Sequence, residues 1–160
     1  MPPALQKVDH SALRTNQAMI IGLSLIAYVF MWSPLVVLVM LVMAYGTLRR
    51  QAGFKIVYTG LLKPRGWVKP DVINDNPEPH VFAQGFGAVV LLISVGALYT
   101  GLPVLGWALV WLVIALAALN LFVGFCVGCA LYYWLGRLHL PGFAKTAPPG
   151  AFPGMRPKDS

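Results

Sequence analysis

Two cysteines, three histidines and a few side-chain amides are the candidates for chemistry in this 160-residue chain. Cys126-Val127-Gly128-Cys129 places two thiols at i and i+3. Such a pair can close a disulfide, share a metal ion or pass electrons as a dithiol. On a regular helix the two side chains fall about 60° apart, on one face. Bonding them requires Cα atoms within roughly 7 Å, which one helical turn provides only with local distortion. The plain alternative is packing, because small side chains let helices approach closely in lipid. If the helix restarts after Gly124, the pair opens a fresh helix amino terminus, where partial positive charge lowers a thiol pKa.

The histidines are His10, His80 and His139. Two of them with the cysteines would give a Cys₂His₂ composition, but the spacing matches no zinc-finger pattern, so no metal site is assigned. His80 is the candidate to lower a cysteine pKa. His80 and Gln84 are four apart and share a helix face. Gln17 falls at a similar depth, so His80, Gln84 and Gln17 are expected to form one polar cluster, with His10 and Asn120 as its further polar candidates. Asn120 lies deeper in the apolar sequence. On an unbroken helix it points about 120° away from Cys126 and opposite Cys129. It meets the cysteines only if the helix breaks, and otherwise serves an interhelical hydrogen bond. No Ser-His-Asp set, paired carboxylates, P-loop or dinucleotide fingerprint occurs, so enzyme status is left open. No Asp, Glu, Lys or Arg falls inside the apolar runs, so nothing supports an ion-coupled transporter. The residues name no cofactor.

The elements that must hold these residues are apolar. Charged residues make up 11% of the chain and hydrophobic ones 58%, at a mean hydropathy of +0.72. A water-facing domain carries about 25% charge, so lipid is the solvent that this composition fits. Residues 15–48 and 79–136 contain no Asp, Glu, Lys or Arg, runs of 34 and 58 residues. A crossing takes about 20 residues. Trp32-Ser33-Pro34 and Gly101-Leu102-Pro103 divide the two runs, so each reads as a helical hairpin. Helices are expected because a spanning segment must satisfy its own backbone. The fold class is therefore all-α, a polytopic membrane bundle of four transmembrane helices. A last span over 104–135 would be roughly 48 Å long, so it either projects from the bilayer or breaks near Gly124 and Gly128. The hairpins open on Asn16-Gln17-Ala18 and Ala83-Gln84-Gly85, a faint sign of a parallel repeat.

The organisation expected is a cytoplasmic amino-terminal segment (1–15), hairpin 1 (16–48), a cytoplasmic loop (49–80), hairpin 2 (81–136) and a Pro/Gly-rich cytoplasmic tail (137–160). All twelve Lys and Arg lie in the first, third and last of these or at their borders, which sets both termini inside. No cleavable signal is evident, and the first span is expected to act as an uncleaved anchor. Within the loop, Phe54, Val57, Tyr58, Leu61 and Leu62 suit a short helix in the membrane interface. Pro64, Pro70, Pro77 and Pro79 are expected to keep the remainder irregular. The tail should form no core element, and order in it would require docking on another chain or copy. The net charge of +7 points to anionic membrane lipid as partner and to no nucleic acid.

Several segments resemble a bacterial integral membrane family catalogued only as a domain of unknown function. They are Val8-Asp9-His10-Ser11-Ala12-Leu13-Arg14-x-Asn16-Gln17, Lys69-Pro70-Asp71, Pro79-His80-x-Phe82-Ala83-Gln84-Gly85 and Gly124-Phe125-Cys126-x-Gly128-Cys129. The match runs from about Val8 to Leu138. The resemblance implies a four-span bundle in the plasma (inner) membrane. It also implies genes often found beside thioredoxin-like and sulfurtransferase proteins, and points to His10, His80, Gln84, Cys126 and Cys129. The expected function is a Cys126/Cys129 dithiol exchanging with such a partner. The opposing reading is a non-catalytic accessory subunit packed among other protein subunits.

The topology is tested with reporter fusions. Those after Pro34 and Pro103 should report outside, and those at Lys63 and after Pro141 inside. An external Lys63 would overturn the orientation.

Overall fold

Proline and glycine set the helix boundaries that the apolar runs leave open. The computed structural model describes residues 6–138, 142–143, 146–147 and 152–156. Helix α1 spans His10–Val29 and α2 spans Ser33–Leu48, with Pro34 in the first turn of α2. Helix α3 is a single turn, Lys55–Val57, continued by a π turn over Tyr58–Leu62. Helix α4 spans Pro77–Tyr99 and α5 spans Pro103–Ala118, each opening on proline. Proline suits these positions because the first-turn N–H has no intrahelical partner. A second π turn, Leu119–Val123, ends α5, and α6 runs Val127–Arg137.

Helices α1, α2, α4 and α5 close a ring, each packing on the next, and α6 lies against α4. Ile20, Val36, Val39, Leu91 and Val110 fill the centre at 2% exposure or less. Ser94 Oγ donates to the Gly106 carbonyl at 2.8 Å, tying α4 to α5. Tyr28 of α1 meets Trp107 and Trp111 of α5 edge-on. Helix α1, α4 and the α5 segment to Val123 are long and apolar enough to cross a membrane; α2, at 16 residues, is apolar but shorter. Only about a third or less of each long apolar window is buried in the fold (33%, 33% and 28%). The rest turns apolar side chains outward, which is costly in water over so large an area and favourable in lipid.

The loop between α2 and α4 is more ordered than its prolines suggest. Val72–Asp75 forms strand β2, paired antiparallel with β1, Gln6–Asp9, in the register Gln6↔Asp75 to Asp9↔Val72. Among the described residues the fold is thus helical with one two-stranded ribbon, where the prolines predict irregular chain. The ribbon forms because prolines 70 and 77 lie outside the paired residues and leave the ladder N–H groups intact. Asp9 then caps α1, accepting from Ser11 N–H at 3.0 Å, and also accepts from Tyr58 O–H at 2.8 Å and Asp71 N–H at 3.2 Å. The short helix is therefore bound to the bundle through Phe54 and Tyr58, both buried, while Ile56 and Leu61 remain exposed.

A buried amide pair ties four segments together. Asn16 Nδ2 donates to Gln84 Oε1 at 3.1 Å, and the same oxygen accepts Gly53 N–H at 3.0 Å. Gln84 Nε2 donates to the carbonyls of Met43 (3.2 Å) and Gln51 (3.1 Å), while Phe54 N–H donates to Asn16 Oδ1 at 3.0 Å. Removing one amide strands several buried partners, each costing about 1–3 kcal/mol. Gln84→Ala should therefore destabilise the protein by about 2–4 kcal/mol. Adding Asn16→Ala should cost much less than the sum of the two single losses. Thermal unfolding in mild detergent measures both, and strictly additive losses would show that the amides do not act as one unit.

Candidate functional site: a cysteine pair backed by a histidine–carboxylate cluster

The last apolar run breaks where glycine permits it. Gly124 sits at φ +73°, in the left-handed region that favours glycine. The chain turns there, and Cys126 becomes the extended N-cap of α6, its sulfur accepting Cys129 N–H at 3.2 Å. The break thus puts the cysteines at a helix amino terminus. Their sulfurs stand at disulfide distance, with Cα atoms 5.1 Å apart. Gly128 lets α6 close onto α4: a Cβ there would stand 2.6 Å from that of Ala83. That approach carries Cys129 to His80.

Cys129 Sγ lies 3.5 Å from His80 Nδ1. On the other side of the ring, His80 Nε2 lies 2.9 Å from Asp75 Oδ2, and His10 Nε2 reaches the same oxygen at 3.1 Å. An ionised carboxylate only accepts, so both histidines donate through Nε2. A neutral His80 then presents the Nδ1 lone pair to Cys129. Burial alone would raise the Asp75 pKa. The hydrogen bonds from His10 and His80, the electrostatic pull of His80 and the Asn76 N–H outweigh it and hold the carboxyl well below the usual range. Asp75 ends β2, so the ribbon is what delivers the carboxylate to the two histidines.

A cavity of about 330 Å³ opens beside the pair, lined among others by His10, Arg14, Gln17, His80, Asn120 and Cys126. Gln17 and Asn120 make no side-chain hydrogen bond among the described residues and form part of its wall. The break therefore brings Asn120 beside the cysteines. Gln84, expected with His80, instead faces the amide knot with Asn16, and the single polar cluster read from the sequence divides in two. His139 falls outside the described residues. Asp75 was missed in the sequence because it sits five residues before His80, in a segment read as irregular. Asn16 shows in the sequence only as part of a helix opening and of the family-like segment, with nothing to mark its bond to Gln84.

The tail departs most from expectation. Its described residues dock on this chain itself, at the start of α6 and on Asp71 and Asn76, where a separate partner was expected. Phe125 and Met155 form an antiparallel bridge. Cys126 N–H donates to the Gly154 carbonyl at 2.8 Å, and Arg156 N–H to the Gly124 carbonyl at 3.1 Å. Arg156 also pairs with Asp71 at 2.8 Å. The physical reason is that the break leaves backbone groups of 124–126 unpaired, and an extended strap satisfies them. Beneath it, Cys126 and Cys129 are only 6% and 3% exposed.

These features define a helical protein of membrane-spanning character with a Cys-x-x-Cys pair at a helix start, backed by histidine and carboxylate. The chain belongs to the family described as Domain of unknown function (DUF4395), which matches residues 8–137. No curated protein and no solved structure matches it.

The strap is expected to limit access to the sulfurs. Two backbone hydrogen bonds of about 1 kcal/mol each hold it, and the exposed ion pair adds little. Deleting residues 152–160 should raise the alkylation rate of reduced Cys126 by about ten- to thirty-fold. Asp71→Ala should raise it only slightly. Equal rates with and without the strap would show that it does not control access.

Proposed function

We propose that this protein is a bacterial inner-membrane thiol–disulfide exchange protein. Its partner is a thioredoxin-like or sulfurtransferase protein at the cytoplasmic face. The observation that carries the reading is the division of labour within the pair. Cys126 sits at the N-cap of α6 with an N–H aimed at its sulfur, the setting that favours a thiolate. Cys129 lies one turn on, against the Nδ1 of a histidine whose far side is held by a carboxylate.

In the reducing half-reaction, the Cys126 thiolate attacks one sulfur of the partner's disulfide. A mixed disulfide forms, and the partner's other sulfur leaves as a thiolate. His80 Nδ1 takes the Cys129 proton, and the Cys129 thiolate attacks the Cys126 sulfur. The internal disulfide closes and the partner departs with both its sulfurs reduced. Two electrons pass from the pair to the partner. The reverse sequence oxidises the partner. A sulfane sulfur on a carrier offers the same electrophile to Cys126.

The topology that goes with this reading has four crossings with both termini inside. Helix α2, at 16 residues, spans about 24 Å, so it needs a locally thinned bilayer. The site then lies at the basic, cytoplasmic end of the bundle, next to the loop and tail. The accessory-subunit reading draws less support, because the tail has a docking place on its own chain.

The reading is tested by trapping. After reduction, Cys126 should alkylate faster than Cys129 at neutral pH. In cells, Cys129→Ser should accumulate a mixed disulfide or persulfide on Cys126, and Cys126→Ser should not. The double Cys→Ser variant should keep the fold and lose any thiol-linked phenotype. If both thiols resist alkylation in native membranes and the double variant behaves as wild type, the pair is packing.

A further inference from the structure

Opening the disulfide leaves two thiols in a buried site, and the surroundings decide what becomes of them. Deprotonating both there would set two like charges side by side away from water, which is unfavourable. A divalent cation removes that cost. The ligand atoms of His80, Cys126 and Cys129 all lie within 4.8 Å of one another. Tetrahedral zinc with Zn–S of about 2.3 Å and Zn–N of about 2.0–2.1 Å sets S···N at about 3.5 Å and S···S at about 3.8 Å. The observed Cys129 Sγ···His80 Nδ1 separation is 3.5 Å. With Cα atoms 5.1 Å apart, the two sulfurs reach zinc-ligand spacing by side-chain rotation once the bond between them is broken.

The outer groups also match a metal site. A metal-bound imidazole is normally oriented by a carboxylate on its other nitrogen. Asp75 holds His80 Nε2 at 2.9 Å, which directs the Nδ1 lone pair to the sulfurs. Cys129 N–H donates to Cys126 Sγ, a bond that stabilises thiolate charge.

We propose that the reduced protein binds one zinc ion through Cys126 Sγ, Cys129 Sγ and His80 Nδ1, with its fourth position open to the cavity beside Asn120. The proposal rests on the dithiol reading, since only the opened pair has lone pairs to give. Two Zn–S bonds form, two thiol protons leave, and the ion's two positive charges cancel the two thiolates. Zinc and the disulfide exclude one another, so the metal and the redox partner compete for one pair of sulfurs. The sequence spacing alone assigns no metal here, because the third ligand comes from α4, 46 positions before Cys126.

A second group, His10, Asp75 and His80, also lies within 4.8 Å, but there both histidine Nε2 atoms already donate to the carboxylate. Variants separate the two groups. Full-length protein in mild detergent is reduced, freed of reductant under argon, and titrated with zinc against a chromophoric chelator. One zinc should bind per reduced chain and none to the oxidised chain at this site. Cys126→Ser or Cys129→Ser should weaken binding by about a hundredfold or more, and Asp75→Asn by about 10–100-fold. His10→Ala should leave it nearly unchanged. Cobalt in place of zinc should show the intense visible bands of a tetrahedral site with sulfur-to-metal charge transfer. Circular dichroism of each variant checks that loss of binding is not loss of fold.

Two free thiols that exchange with a partner but bind no zinc would overturn the metal site and leave the exchange reading standing. Zinc binding that survives both serine variants but is lost in His10→Ala would place the ion in the other group and equally overturn it. A pair that cannot be reduced in the folded protein would sink both.

Discussion

One carboxylate oxygen organises the end of the bundle that carries the cysteines. Asp75 Oδ2 accepts from His10 at the start of α1 and from His80 in the first turns of α4. A buried, ionised carboxylate without donors would be strongly unfavourable, and one with two imidazoles and an amide is not. The same bonds tie the end of the ribbon and the start of α4 to the start of α1, 65 positions away in sequence. They also fix the His80 tautomer. The chemistry of the sulfurs depends on that, because a ring turned the other way would offer Cys129 a donor where it needs an acceptor.

The second requirement is the break at Gly124. A straight continuation of α5 would carry the cysteines along a helix side, with their N–H groups already engaged by the preceding turn. The break gives Cys126 a free N-cap position and leaves unpaired backbone for the strap. Gly128 against Ala83 then sets the separation of α6 from α4. Site and fold are coupled here through two small residues: one supplies an unusual φ, the other makes room.

The bundle also divides its polar groups by purpose. The Asn16–Gln84 knot is closed: each amide finds protein partners, as buried polar groups must where water is absent. Gln17 and Asn120 stay open to the cavity beside the cysteines. Closed amides hold helices, and open ones face whatever enters. The strap bonds the backbone at the start of α6, beside both sulfurs, so its release is a local opening that leaves the bundle intact.

The sequence by itself determined the apolar helices, because uncharged runs interrupted by Pro34 and Pro103 admit little else in lipid. It determined the Cys-x-x-Cys pair, and it offered a break near Gly124 as one of two ways to shorten an overlong span. A short helix near Tyr58 was also legible in its spacing, though not its attachment to Asp9. Only the tertiary structure decided which polar residues meet. His80 and Gln84 share a helix face, yet one turns to Asp75 and the other to Asn16, because their partners arrive from different segments. Periodicity reports which way a side chain points along its own element and nothing about what another element brings there. Asp75 in a proline-flanked loop and the Pro/Gly tail had no periodic signal at all. Their places follow from backbone groups left unpaired by the ribbon partner and by the broken helix, which exist only once the chain has folded.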